Sequence, residues 1–307
     1  MTQQTAPLSA VQPGAHMEAE LLSQPDVWKT AARQSAEENL LPADGARIAV
    51  IGCGTSWFMA QAYAVAREAA GKGVTDAFAA SEAPDLAVRG YDAIVVITRS
   101  GTTTEVLHLL DKYRGAIPSV AMIGDVTSPI NGLADRVIGL PYADEQSVVQ
   151  TRFATSALVY LLASLGEDID RAIVDAQAVL AEETSSDLLN AEQFSFLGTG
   201  WTVGLAHEAG LKMREAVQGW TESYPAMEYR HGPISIASPG RVVWLFGAAV
   251  DGLAADVVAT GAQFISSARH PLAELARVHK VTLDRALARG LDPDRPRNLT
   301  RSVILDG

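Results

Sequence analysis

Short apolar runs rich in Val and Ile recur along the chain, each leading into a turn of small or hydroxyl residues and then into a helix-forming stretch. Such runs read as strands buried on both faces, and strands separated by helices wind into a parallel sheet. Strands are predicted at Arg47–Ile51, Thr75–Ala80, Asp92–Ile97, Ser119–Ile123 and Arg136–Leu140, with helices over Trp57–Ala70, from Glu105 to Leu110 and over Thr151–Leu165. After a charged, helix-forming connector the pattern restarts. Phe194–Leu197 is a strand, Trp201–Gln218 its helix, Val242–Phe246 and Gln263–Ile265 further strands, and Pro271–Arg289 a final helix. The fold class is α/β, with two αβα units, each a mainly parallel sheet flanked by helices, the second abbreviated. The boundaries follow: a polar, Pro/Gly-punctuated tail expected to be disordered over residues 1–16, an N-terminal helical region over 17–44 broken at Gln24-Pro25, a first unit over 45–165, a connecting helix over 166–193, and a second unit over 194–307.

The loops that leave the strands carry the chemistry. Gly52-Cys53-Gly54-Thr55-Ser56 follows the first strand, and Gly198-Thr199-Gly200 repeats its glycines at a constant offset of 146 residues. Thr98-Arg99-Ser100-Gly101-Thr102-Thr103 follows the third strand and opens a helix. A hydroxyl-rich turn at a helix N-terminus offers backbone N–H groups, the positive end of the helix dipole and O–H donors, which suits a phosphate. The alternative is an N-cap cluster without a ligand, but four hydroxyls in six residues exceed what one cap uses. It is not a P-loop, since no Gly-Lys-Ser/Thr follows. Gly247–Gly252, at the matching place in the second unit, carries no hydroxyls, so one phosphate site per chain is expected. Cys53 is read as a small residue packed in a tight turn rather than a nucleophile, and Glu82 as either a crevice-rim or a solvated residue.

Composition narrows the function classes. The net charge of −12 argues against nucleic acid and anionic membranes as partners. One cysteine excludes a disulfide framework within a chain and fits a reducing cytoplasm. The apolar stretch from Ala154 to Leu165 is too short to span a bilayer, and residues 1–16 show no signal pattern. The histidines show no metal spacing with carboxylates, so neither a metal nor another cofactor is expected.

A second constellation lies at 211–233. Lys212 and Glu215 stand three apart on one face of a largely apolar helix. Such a pair is ordinarily a surface ion pair, but beside a ligand loop its carboxylate suits a general base moving a proton between adjacent carbons of a sugar. His231, held before Gly232-Pro233, is either a structural group or an acid–base residue.

Together, Gly52-Cys-Gly-Thr-Ser56, Ala80-Ser-Glu82, Ser100-Gly-x-Thr103, Leu211-Lys-x-x-Glu215, His231-Gly-Pro233 and Asp292-Pro-Asp-Arg-Pro-Arg-Asn298 resemble the sugar isomerase (SIS) domain family. The resemblance is closest to the isomerase half of glutamine–fructose-6-phosphate aminotransferase and to the related deaminases and fructosamine-phosphate deglycases. It implies that Ser56, Thr98, Ser100 and Thr103 hold a sugar phosphate, with Thr55 and Arg99 in support. It further implies Glu215 as the base between C1 and C2, Lys212 as a residue that positions Glu215 or a substrate oxygen, and His231 lent by a neighbouring subunit to assist ring opening. A homodimer with shared sites, acting on a phosphorylated sugar or amino sugar in the cytoplasm, is the corresponding expectation.

The departures matter too. No glutaminase segment accompanies the pattern, so glutamine is not expected as this chain's own ammonia source. The family's imine-forming lysine is replaced by Arg301, which stays protonated and cannot form that bond. Arg301 is expected to pair with substrate oxygens or with the aspartates near 292. These differences favour an enzyme that couples C1–C2 proton transfer to loss or migration of an amine. A plain aldose–ketose isomerase and a non-catalytic phosphosugar sensor are the alternatives.

Overall fold

The computed structural model describes residues 12–305. The tail expected over 1–16 therefore lies outside the described residues as far as residue 11, but Ala15 and His16 are already helical, in α1 (Ala15–Leu22). The reason is remote in sequence. Asp294 accepts the His16 and Met17 N–H groups at 2.9 and 2.8 Å, and Asp292 accepts that of Gly14 at 3.0 Å. Carboxylates at a helix N-terminus satisfy its orphan amides and complement its dipole. Helix α2 (Gln24–Glu37) follows one residue later, with Pro25 in its first turn.

The first sheet contains β1 (Ile48–Gly52), β2 (Thr75–Ala79), β3 (Ala93–Thr98), β4 (Ser119–Ile123) and β5 (Arg136–Gly139). All pairs are parallel and the order is β2-β1-β3-β4-β5. Helices α3 (Thr55–Ala69), α4 (Thr104–Tyr113) and α5 (Arg152–Ala163) connect and cover it. The connector is two helices rather than one: α6 (Ile169–Leu180), capped by the Asp168 carboxylate, and α7 (Ser186–Asn190).

The second sheet contains β6 (Gln193–Gly198), β7 (Thr221–Pro225), β8 (Arg241–Phe246) and β9 (Gln263–Ile265) in the order β7-β6-β8-β9, again parallel. It follows the first sheet's order with the fifth strand absent. Helices α8 (Thr202–Val217), α9 (Leu253–Ala259) and α10 (Pro271–Ala288) complete the unit. Strand β7 was not expected, because Thr221-Glu-Ser-Tyr-Pro225 is polar and only partly buried. As an edge strand it pairs with β6 alone.

The main core joins the units through helices. Trp28 of α2 is fully buried and donates its indole N–H to the Thr155 hydroxyl of α5 at 3.0 Å. Helix α3 packs on α8 at Gly204, where an added Cβ would stand 2.5 Å from the Phe58 carbonyl oxygen. That close crossing brings the end of α8 to the start of α3, with Leu211 Cδ2 3.9 Å from where a Cβ on Gly54 would lie. It is this packing that carries Lys212 and Glu215 towards the first glycine loop.

Candidate active site

In an open parallel sheet, ligands bind outside the carboxyl ends of strands where the order reverses. Here that point lies between β1 and β3, and it collects both expected loops. Thr55, Ser56, Thr98 and Ser100 are buried there, and Thr103 is half-buried at the N-cap of α4. The Thr103 side chain makes no capping bond, so the hydroxyl cluster is not explained as a helix cap. Gly101 has φ +60, and a Cβ on it would stand 2.1 Å from Ser128 Oγ, so the tight turn requires glycine.

A segment far along the chain crosses this loop. Ser302 Oγ lies 3.2 Å from Ser100 Oγ and 2.9 Å from Thr102 Oγ1, and Thr102 Oγ1 lies 3.0 Å from Ser100 Oγ. Thr102 is one of the four loop hydroxyls counted in the sequence, whereas Ser302, 200 residues away from it, was not singled out.

Two arginines lie otherwise than expected. Arg99 is buried and turned from the loop's open side. Its guanidinium donates to the Ser147 carbonyl at 2.7 Å and the Arg301 carbonyl at 2.8 Å, and burial lowers its pKa. Its two bonded nitrogens are thus engaged by the backbone. Arg301 pairs with neither Asp292 nor Asp294. It donates from one nitrogen to both Asp144 carboxylate oxygens, each at 2.7 Å, and from the other to the Glu145 carbonyl.

Lys212 and Glu215 meet as their spacing implied. The Lys212 ammonium is completely buried and donates to the Glu215 carboxylate, whose side chain keeps about 20% exposure. His231 sits exposed in a short 3₁₀ turn, Glu228–His231, before Gly232 at φ +134. Glu82 is exposed in a 3₁₀ turn after β2, on the sheet's outer side. Burial pushes the Cys53 thiol up, which makes it a poorer nucleophile at neutral pH. Among the described residues no group of three His, Cys, Asp or Glu side chains is placed to hold a metal, and no helix is long and apolar enough to cross a membrane.

Beside the loop that braces Arg99, the Glu20 carboxyl of α1 is held well above the usual carboxylate range. Glu20 accepts the Gln146 and Ser147 N–H groups on one oxygen, while its other oxygen is buried without a partner. Burial first, then the nearby Glu145 carboxylate, pushes Glu20 up to about 7. The folded chain holds this proton more tightly than the unfolded chain. Its contribution to stability is therefore full below 4.5 and lost as pH rises to about 7. Glu20→Gln is expected to flatten that fall in a series of urea midpoints; an unchanged slope would place the titration elsewhere.

At the matching point of the second sheet, between β6 and β8, lies a cavity of about 730 Å³ lined by Trp201, Thr202, Gly247 and His270 among others. There the Thr202 hydroxyl, which stands where Ser56 stands in the first unit, is tied to the Thr199 N–H at 2.9 Å and the Phe246 carbonyl at 2.8 Å. In the second loop one hydroxyl is tied to the backbone, whereas in the first the Ser100, Thr102 and Ser302 hydroxyls bond to one another.

Fold and site together define a two-unit αβα protein with a hydroxyl-rich loop at the β1–β3 switch point and a buried Lys–Glu ion pair on α8. Residues 42–165 match the SIS domain. It is 27% identical to glutamine–fructose-6-phosphate aminotransferase [isomerizing] of Aeropyrum pernix over 87% of this chain and 52% of that protein. It is 25% identical to the enzyme of the same name from Sulfurisphaera tokodaii over 85% and 50%. The chain spans about half the length of these curated relatives. Among solved structures, glucosamine-6-phosphate deaminase from Thermotoga maritima superposes with a TM-score of 0.73 at 22% identity, covering 93% of this chain and all of that one. Tagatose-6-phosphate ketose/aldose isomerase from Escherichia coli gives 0.73 at 18%, covering 96% and 99%. At those identities the structures support the fold, two parallel-sheet units flanked by helices.

Proposed function

We propose that the chain is an enzyme acting on a phosphorylated amino sugar or fructosamine phosphate, by proton transfer between C1 and C2 with loss or migration of the amine. The observation that supports this reading is the Lys212–Glu215 pair on α8, where the neighbouring Leu211 approaches Gly54 of the β1 exit loop. The phosphate sits on Ser56, Thr98, Ser100 and Thr103, with Thr55 behind them, at the positive end of α4. Glu215 takes the proton from one carbon and returns it to its neighbour, and the buried Lys212 ammonium fixes the carboxylate while it does so. His231, exposed in one chain, completes the site of a second copy and assists ring opening. Arg99 acts as a brace rather than a phosphate ligand. A simple aldose–ketose isomerase would use the same groups, and the names of the similar proteins include both chemistries.

A panel of hexose, hexosamine and fructosamine 6-phosphates, followed for ammonia release and for isomerisation, tests the reading. Binding of every phosphosugar without turnover would replace it with a sensor. Ser100→Ala removes a charge-assisted hydrogen bond worth about 1.5–3 kcal/mol, so phosphosugar affinity is expected to fall roughly ten- to a hundred-fold. Equal affinity in the variant and the parent, measured calorimetrically, would put the phosphate elsewhere.

A further inference from the structure

The geometry points to Ser302 as a phosphate-binding residue, held in place by a latch of Arg99, Arg301 and Asp144. This rests on the phosphosugar reading of the hydroxyl loop. Ser100, Thr102 and Ser302 form a closed triangle of hydroxyls, with sides of 3.0, 2.9 and 3.2 Å, beside the start of the ten-residue helix α4. Each hydroxyl has one proton and can accept from another, so the ring satisfies itself when empty. Rotating the three O–H bonds outward presents three converging donors to an anion, without moving the backbone. Two of the three belong to the loop. The third is delivered by residues 300–305.

What holds that segment is polar. Val303, Ile304 and Leu305 are 53%, 68% and 55% exposed, so their side chains contribute little burial. The backbone is pinned instead. The Val303 carbonyl accepts the Thr104 N–H at 3.3 Å, and the Leu305 N–H donates to Thr104 Oγ1 at 3.0 Å. Immediately before Ser302, the Arg301 carbonyl accepts from the Arg99 guanidinium, while its own guanidinium is held by Asp144 and the Glu145 carbonyl. Both faces of residue 301 are therefore anchored, and Ser302 has its position set by its neighbour. Where the family pattern has a lysine that reacts with substrate, this chain has a residue directed away from the ring of hydroxyls. Arg301 is a positioning residue.

The test uses the full chain, with glucosamine 6-phosphate, fructose 6-phosphate and inorganic phosphate as probes. Ser302→Ala is expected to weaken binding of the phosphorylated probes about ten-fold, the loss of one charge-assisted bond. Arg301→Met and Asp144→Asn are each expected to weaken binding by a similar or smaller factor. Their combination should be no worse than the stronger single variant, because both break one latch. Amide exchange at Thr104 and Leu305 should quicken in Arg301→Met while the rest of the fold keeps its protection, a readout that general destabilisation would not give. If Ser302→Ala binds as tightly as the parent while Ser100→Ala is weakened, the inference fails and the phosphate loop stands. If Ser302→Ala binds more tightly, the segment obstructs the site rather than completing it, and the inference fails again. If the parent binds none of the probes, the phosphosugar reading falls and takes this inference with it.

Discussion

Glu215→Gln is expected to lower turnover by about 10²–10⁴-fold, the range for removing a positioned general base, while leaving phosphosugar affinity nearly unchanged. The amide keeps the carboxylate's shape and one oxygen to accept from Lys212, but it cannot take a proton from carbon. The choice of variant matters because Lys212 is fully buried. Removing a partner from a buried ion pair costs about 3–5 kcal/mol, so Glu215→Ala would confuse lost chemistry with lost folding. Glu215→Gln limits that effect by preserving the hydrogen bond, and a thermal melt run beside the assay separates the two. Activity within ten-fold of the parent, in a folded variant that still binds phosphosugar, would remove Glu215 from the role of base. Solvent deuterium incorporation at C1 or C2 gives a second readout. It should vanish with Glu215→Gln if the carboxylate carries the proton.

Much of this site was legible because the contacts that build it are local in sequence. The β1 and β3 exit loops follow continuous apolar runs, and Lys212 and Glu215 share a helix face by spacing alone. The resemblance to SIS proteins added roles to residues already marked by pattern. What was not legible is non-local. Asp294 starts α1 from 278 residues away, so no local signal could place the helix before Met17. The direction of Arg99 is set by the Ser147 and Arg301 carbonyls, both distant in sequence, and a cation in a phosphate loop reads naturally as a ligand until those acceptors are seen. β7 was hidden for another reason. An edge strand beside one neighbour has no need of an apolar run, and Thr221–Pro225 has none.

The second unit shows how the same loop geometry is kept after its donors are withdrawn. Gly198 and Gly247 still shape the turns, and a Cβ on Gly247 would come within 2.8 Å of Thr202 Oγ1. The hydroxyl that could have faced a ligand now joins β6's loop to the end of β8. The Lys212–Glu215 ion pair lies on α8 of this chain, whereas His231 lies exposed in a turn that the described chain does not fold over.

If His231 completes the site of a second copy, mixing two dead variants should restore activity. Glu215→Gln and His231→Ala are each expected to be nearly inactive alone. In a two-fold dimer with shared sites, a mixed dimer places both defects in one site and neither in the other. Random reassociation makes about half of the dimers mixed, each with one intact site of two, so roughly a quarter of the parent activity should return under this symmetry. A site built from one chain gives a different count, because every site then keeps one defect and nothing returns. Subunit exchange must be verified independently, for instance by mass-labelled copies. With exchange complete, absence of recovery would sink the shared site. His231 would then act, if at all, within its own chain. Recovery near a quarter would instead tie the exposed imidazole to the Lys212–Glu215 crevice of its partner, a contact that no single chain contains.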